Sequence, residues 1–240
     1  MISVHSLSKS FGQLLAVDRV SFTVGPGEVF GLLGENGAGK TTTLRMLATV
    51  LRPTQGSATI MGHDLIREPL RVRQIIGVLS AETGLYDRLT AWENVRYFGR
   101  LHGMGDAQIR QRSAPLADSL DMASFWHRRA GTLSKGMRQK VCIVRAVIHD
   151  PAVLLMDEPT AGLDVTSARA VHDFIHSWKR EGRSILFSSH VMSEVEKVCD
   201  RIAVIHRGRI VAAGSLDEVK AQAPKRDLEE IFVRLVGETA

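Results

Sequence analysis

At 240 residues the chain has room for one large domain with a subdomain and is short for two full domains. Lys and Arg number 31 against 26 Asp and Glu, a net +5 spread along the chain that suits an anionic small ligand or a membrane surface; the one tight basic cluster, His127-Arg128-Arg129, reads as a solvated helix end rather than a nucleic-acid stripe. Two isolated cysteines, Cys142 and Cys199, exclude a zinc framework and a disulfide scaffold. No run reaches the ~18 apolar residues of a membrane span and Met1 to His5 lacks signal-peptide character, so the expectation is a soluble chain in a reducing, cytoplasmic setting.

In chain order, Ala16 to Val24, a Gly25-Pro26-Gly27 turn and Glu28 to Leu33 read as strand, turn, strand. After Gly34 the pattern changes: Leu44, Leu47 and Leu51 recur at helical spacing, so a strand feeds a helix from Lys40 to Leu47 through glycines. The stretch opening at Gly77 starts as a short apolar strand and breaks at Ser80. From about 90 to 129 the β signals vanish; Thr90-x-x-Glu93 has the form of a capping box opening a helix, and Gly103 to Asp106 interrupts it before a second helix. Strand and helix then alternate: Val153 to Met156, a helix carrying Ala168, Val171, Ile175 and Trp178, Ser184 to Phe187, a helix after His190, and Ile202 to Ile205. Apolar runs alternating with helices predict an α/β fold with a parallel sheet, here with a helical insertion.

Gly34-Glu35-Asn36-Gly37-Ala38-Gly39-Lys40-Thr41 matches G-x-x-x-x-G-K-[ST] between a predicted strand and a predicted helix, followed by Thr42. Glycines let successive backbone N–H groups turn toward phosphate oxygens, and the helix start adds its positive end. Lys40 supplies a cation for the β/γ-phosphates and Thr41 a hydroxyl for Mg²⁺. A nucleoside triphosphate is the expected ligand. Downstream, Val153-Leu154-Leu155-Met156 runs into Asp157-Glu158. Side chains alternate across a strand, so the two carboxylates divide labour: Asp157 to hold Mg²⁺ through water, Glu158 to take a proton from an attacking water.

Leu133-Ser134-Lys135-Gly136-Met137 stands about two dozen residues before that pair, Ala161-Gly162-Leu163-Asp164 just after it, and Ser188-Ser189-His190 follows the next apolar run. With the phosphate loop these motifs make the chain similar to the ATP-binding subunits of ABC transporters, over almost its whole length. The resemblance implies a P-loop NTPase core with a mostly parallel sheet, an N-terminal antiparallel β part and an inserted α-helical subdomain. It further implies one ATP-binding domain over 1–222, built as a core of 1–89 and 131–222 around a subdomain of about 90–130, with a short tail at 223–240. Leu133 to Met137 resembles the family signature LSGGQ, with Ser134 and Gly136 matching and Lys135 and Met137 departing; in the family this helix start addresses the γ-phosphate held by the other subunit. Asp164 falls on the loop that crosses the dimer interface, and His190 on the switch histidine. Phe11 falls where the family stacks an aromatic on adenine, or is simply core.

The family's glutamine that contacts Mg²⁺ aligns with Ala81. Either its neighbour Glu82 supplies an oxygen or water fills the position. Leu85-Tyr86-Asp87-Arg88 lies on the segment that, by resemblance, receives the membrane subunit; Tyr86, Trp92, Tyr97 and Phe98 cluster there, as a binding groove or as subdomain core. The variant LSKGMRQK, the missing glutamine and the tail Leu228 to Leu235 resemble the exporter branch, and within it sodium-extruding transporters, with a drug-like solute as the other cargo. The resemblance therefore implies ATP and Mg²⁺ as cofactors, a homodimer of cassettes, a separate transmembrane permease, no nucleic acid, and a peripheral position on the cytoplasmic face of the membrane. Two alternatives stay open at this stage: a cytosolic cassette acting on ribosomes or DNA, and a nucleotide-binding regulator without turnover, against which Glu158 and His190 argue.

Overall fold

Fully buried strands need apolar side chains on both faces, and three segments supply them: β3 (Val29–Leu33), β7 (Val153–Asp157) and β8 (Ser184–Ser189) are buried at every position. The computed structural model describes residues 1–80, 84–221 and 232. Among these, the three strands form the centre of a six-stranded sheet ordered β10-β9-β3-β8-β7-β6, with β6 (Ile76–Leu79), β9 (Arg201–His206) and β10 (Arg209–Ser215) outside them. All neighbours pair in parallel except β10, which returns antiparallel on β9.

The second sheet is antiparallel, ordered β2-β1-β4-β5, from β1 (Ile2–Phe11), β2 (Leu14–Val24), β4 (Gln55–Ile60) and β5 (His63–Asp64). Its inner residues Ile2, Val4, Leu7, Val20, Val24 and Ile60 pack with Phe30 and Leu32 of the large sheet, and Phe22 stacks on Phe30 at 5.2 Å. Between the two layers lies α1 (Lys40–Leu47), whose Leu44, Met46 and Leu47 are buried; Leu51 falls beyond its end.

The other face of the large sheet carries α5 (Lys135–Val147), α6 (Val165–Arg180) and α7 (Met192–Val198). Helix α5 opens at Lys135 because the Ser134 side chain caps it. The segment between β6 and α5 holds α3 (Ala91–Leu101) and α4 (Asp106–Ser119), with Thr90 and Glu93 forming both bonds of the capping box. Two further helices, α2 (Pro69–Ile75) and α8 (Leu216–Lys220), complete the chain order.

Candidate functional site

The carboxyl ends of β3, β7 and β8 meet on one edge of the large sheet, the side of an open α/β sheet where ligands bind. From β3 the chain passes through Gly34 to Gly39 into α1. Gly39 caps that helix at φ +110°, and a Cβ there would stand 2.8 Å from Ala16 O; Gly37 has φ +83° with open space where a Cβ would go. Both positions lie in the left-handed region that glycine adopts without strain. Gly34 is closed in by Ile205 and Ala38, and Ala38 O accepts from Gly208 N at 2.9 Å. Asn36, Gly37, Gly39, Lys40, Thr41, Thr42, Ala16 and Glu158 line a cavity of about 120 Å³. Glu35, Asn36 and Gly37 are exposed, and Thr41 and Thr42 are half-buried at the helix start.

Lys40 is only 4% exposed, and its ammonium donates to Gly34 O at 2.7 Å and Glu35 O at 3.0 Å and pairs with Glu158 Oε1 at 3.3 Å. A buried ammonium needs this full set of partners, and phosphate oxygens are chemically able to replace every one of them. The glycine-shaped cradle, the cation and the two threonine hydroxyls therefore fit a Mg-nucleotide.

Asp157 is buried at the end of β7 and pairs in register with Ser188 of β8, whose hydroxyl donates to Asp157 Oδ1 at 2.7 Å. Glu158 follows at φ +47°, outside the strand conformation, so its carboxylate turns back toward the phosphate loop. There Glu158 Oε1 faces Lys40 and Glu158 Oε2 lies 3.0 Å from His190 Nδ1. Three groups spread over a span of 150 residues in sequence thus share one cluster. Beside it, Glu194 Oε2 accepts from Thr160 Oγ1 at 2.6 Å and Ser189 Oγ at 3.1 Å, and a cavity of about 210 Å³ is lined by Glu158, Gly162, His190 and Glu194. A larger cavity, about 710 Å³, lies between α4 and α6, away from these groups.

Ser134 is the N-cap of α5, its Oγ accepting from Met137 N at 3.3 Å. Gly136 is buried so tightly that a Cβ would run into Ser167 Oγ, and Lys135 Nζ lies over Gly162. Asp164 caps α6: Ser167 N donates to Asp164 Oδ1 at 2.9 Å and Ser167 Oγ to Asp164 Oδ2 at 2.7 Å, and these bonds hold its carboxyl below the usual range. Among the described residues, Ser134, Lys135, Gly136 and Met137 make no hydrogen bond or ion pair to the phosphate loop; Gln139, one turn further on, donates to Pro159 O beside Glu158.

Phe11 is 46% exposed at the end of β1, with Lys9 Nζ 5.1 Å from its ring centre, so it is not a core residue. Leu85 is buried and belongs to the core, because the loop after residue 84 folds back under α3; the exposed side chains of that stretch are Tyr86, Asp87 and Arg88. Tyr86 meets Tyr97 edge-on at 5.2 Å and Tyr97 meets Phe98 at 5.5 Å, whereas Trp92 packs elsewhere, against Trp126. Asp87 Oδ1 accepts from Arg138 of α5 at 2.7 Å, tying this loop to the signature helix. Ala81 and Glu82 lie outside the described residues, as does the tail except for the buried Phe232.

Sequence reasoning did not single out Ser188 as a partner of Asp157, or Thr160, Glu194, Gln139 and the buried Asn94, which exchanges hydrogen bonds with the backbone of Tyr86. Only cross-strand register or loop geometry shows these contacts.

A glycine-cradled lysine before a helix, with an acidic strand end opposite, defines a P-loop nucleotide hydrolase. Comparison with known proteins narrows the class: a family model described as ABC transporter matches residues 17–161. The ABC transporter ATP-binding protein NatA of Bacillus subtilis is 48% identical over 97% of each chain. The doxorubicin resistance ATP-binding protein DrrA of Mycobacterium tuberculosis is 39% identical over 92% of this chain and 68% of its own. A solved ATP-binding subunit of an ABC transporter superposes with a TM-score of 0.89, at 32% identity over 98% of this chain and 99% of that one. The chain belongs to the ABC transporter family, as its ATP-binding, ATP-hydrolysing subunit. Among the described residues no helix is long and apolar enough to cross a membrane.

Proposed function

We propose that two copies of the chain sandwich two Mg-ATP and drive export of a solute, sodium ion by the resemblance of the signature variant, through a separate permease on the cytoplasmic face of the membrane. The observation that carries the reading is the convergence of Lys40, Glu158 and His190 at the carboxyl ends of three strands. On this reading the domain spans 1–222, with the helical subdomain at about 90–130 and the tail beyond.

In the proposed cycle the backbone of Gly34 to Gly39 and the Lys40 ammonium bind the phosphates, and the exposed ring of Phe11 stacks on adenine. Mg²⁺, when bound, neutralises charge on the β- and γ-phosphates; Thr41 and Asp157 would hold it, with Glu82 or water completing the set. Phosphate oxygens draw Lys40 away from Glu158, and the freed carboxylate takes the proton of the water that attacks the γ-phosphorus as the bond to ADP breaks. His190 orients that carboxylate through Oε2. On this reading Ser134 to Met137 address the γ-phosphate of the partner copy. Tyr86, Asp87 and Arg88 receive the membrane subunit, and the Asp87–Arg138 pair passes its position to α5.

The test is affinity purification from membranes followed by reconstitution of the complex in vesicles. Co-purification of a protein with about six spans of ~20 apolar residues and ATP-dependent ²²Na⁺ movement that Glu158→Gln abolishes support the reading. Recovery of only ribosomal or DNA partners contradicts it, and ATP-driven movement of a drug-like solute without sodium overturns the cargo.

A further inference from the structure

We propose that Ser188 is a positioning residue for hydrolysis: one hydroxyl fixes both carboxylates of the Asp157-Glu158 pair at once. The inference rests on the roles given above to Asp157 and Glu158.

Parallel pairing sets Asp157 opposite Ser188, with the serine at 0% exposure. Its Oγ–H donates to Asp157 Oδ1 at 2.7 Å, and the same oxygen accepts from Glu158 N at 3.1 Å. Glu158 N is shared with Ser188 O, also at 3.1 Å. These bonds converge where the chain leaves the strand conformation. Glu158 at φ +47° is a non-glycine residue in the left-handed region, a conformation that persists only where its surroundings enforce it. That turn is what sends the Glu158 carboxylate toward Lys40 and His190 instead of along the line of β7.

The chemistry of the hydroxyl suits both tasks. A serine is donor and acceptor together, so it can give its proton to a carboxylate and receive an N–H without a second side chain. Bonded at Oδ1, the Asp157 carboxylate is held in one rotamer, which sets where its other oxygen points. Alanine at 188 removes both bonds and nearly nothing else: the strand, its backbone pairing and the packing volume remain. Among the described residues no phosphate-loop group hydrogen-bonds to Ser188 Oγ, Asp157 Oδ1 or Glu158 N, and Lys40 pairs with Glu158 Oε1. A loss confined to Ser188 Oγ should therefore leave nucleotide affinity alone and act on turnover.

The experiment compares wild type with Ser188→Ala, Ser188→Thr and Glu158→Gln, measuring kcat and KM for ATP, Kd for a fluorescent ATP analogue with Mg²⁺, the Mg²⁺ concentration for half-maximal analogue binding, and Tm. Expected for Ser188→Ala is a kcat about thirtyfold lower, which is about 2 kcal/mol at 1.36 kcal/mol per decade. Its analogue Kd should stay within about twofold and its Mg²⁺ midpoint should rise, since Asp157 is no longer held. Ser188→Thr, which keeps the hydroxyl, should recover most of the turnover. Ser188→Cys, a weak donor of similar size, replaces the alanine variant if that one unfolds and should show the same split. Wild-type kcat in a folded alanine or cysteine variant overturns the proposal, as does a threonine variant that is folded yet as slow as alanine, or a loss of affinity equal to the loss of turnover. Glu158→Gln separates the two failures: if it turns over ATP normally, the assignment of Glu158 has failed, and if it is inactive while Ser188→Ala is normal, only the role of Ser188 has.

Discussion

Two glycines of the phosphate loop make opposite demands, and Gly39→Ala and Gly37→Ala isolate them. At Gly37 a methyl group meets nothing within 4 Å, so the only cost is holding φ +83°, roughly 1–2 kcal/mol for a non-glycine residue. At Gly39 the same kind of penalty applies at φ +110°, and the methyl also lands 2.8 Å from Ala16 O and 3.3 Å from side chains of Val17 and Ile205, where ordinary contact begins at 3.4 Å. Ala16 O belongs to β2, so it does not swing aside as a flexible side chain would. Overpacking of this kind adds about 1–3 kcal/mol, for a total of about 2–5 kcal/mol at Gly39. In a chain of this size each kcal/mol lowers Tm by about 2–4 °C, so Gly37→Ala should melt a few degrees low and Gly39→Ala lower by roughly 4–20 °C. Because Gly39 directly precedes Lys40, relief of the clash moves the lysine, and Gly39→Ala should lose more than tenfold in affinity for a fluorescent ATP analogue. Thermal denaturation and analogue titration on the two purified variants measure both quantities. Equal Tm losses at the two positions, or wild-type affinity in Gly39→Ala, would refute the reasoning.

Lys40→Ala should abolish nucleotide binding in the same titration, while Ala at Ser134 should cost about 1 kcal/mol in chemical denaturation through loss of the α5 cap. Tyr86→Ala should leave ATPase of the isolated chain unchanged and weaken co-purification with the membrane subunit, by on the order of 2 kcal/mol if the exposed ring is an interface anchor. Glu82→Ala should slow hydrolysis by the isolated chain and shift its Mg²⁺ dependence; no change would assign that position to water. Burial, aided by its stacked neighbour His102 at 3.7 Å and by Arg112, pushes the His149 pKa down from 6.5 to about 4. Between those values the unfolded chain binds a proton the folded one refuses, so Tm should fall as pH drops from 6.5 toward 4, and His149→Phe should flatten that slope.

What was legible in the sequence is what a local pattern dictates. The phosphate loop is contiguous and its spacing is fixed by the turn it makes, and β3, β7 and β8 announce themselves because each is built around a short apolar run buried on both faces. The capping box at Thr90 likewise needs only residues three apart. The antiparallel sheet was implied by family resemblance, but its strand β1 is hard to read directly: register shifts between Val4 and Leu7 and again before Ser10 break the alternation of two. Helix α2 escaped for a simpler reason, since Val72 is its one buried residue and offers no period. Leu85 belongs to the core because of how the loop before α3 folds, which the string LYDR does not reveal. The Ser188–Asp157 bond depends on which strands lie side by side, and adjacency in the sheet is absent from adjacency in the chain.

Sedimentation of Glu158→Gln with and without Ser134→Arg tests most directly whether a second copy of the chain completes the site. With saturating Mg-ATP, Glu158→Gln should bind nucleotide without consuming it and sediment as a dimer, returning to monomer when nucleotide is removed. Adding Ser134→Arg to the same chain should leave nucleotide binding intact and keep it monomeric, because the arginine blocks the surface that meets the partner's γ-phosphate. A Glu158→Gln chain that is saturated with ATP yet monomeric, or a double variant that dimerises as well as the single one, would contradict the account.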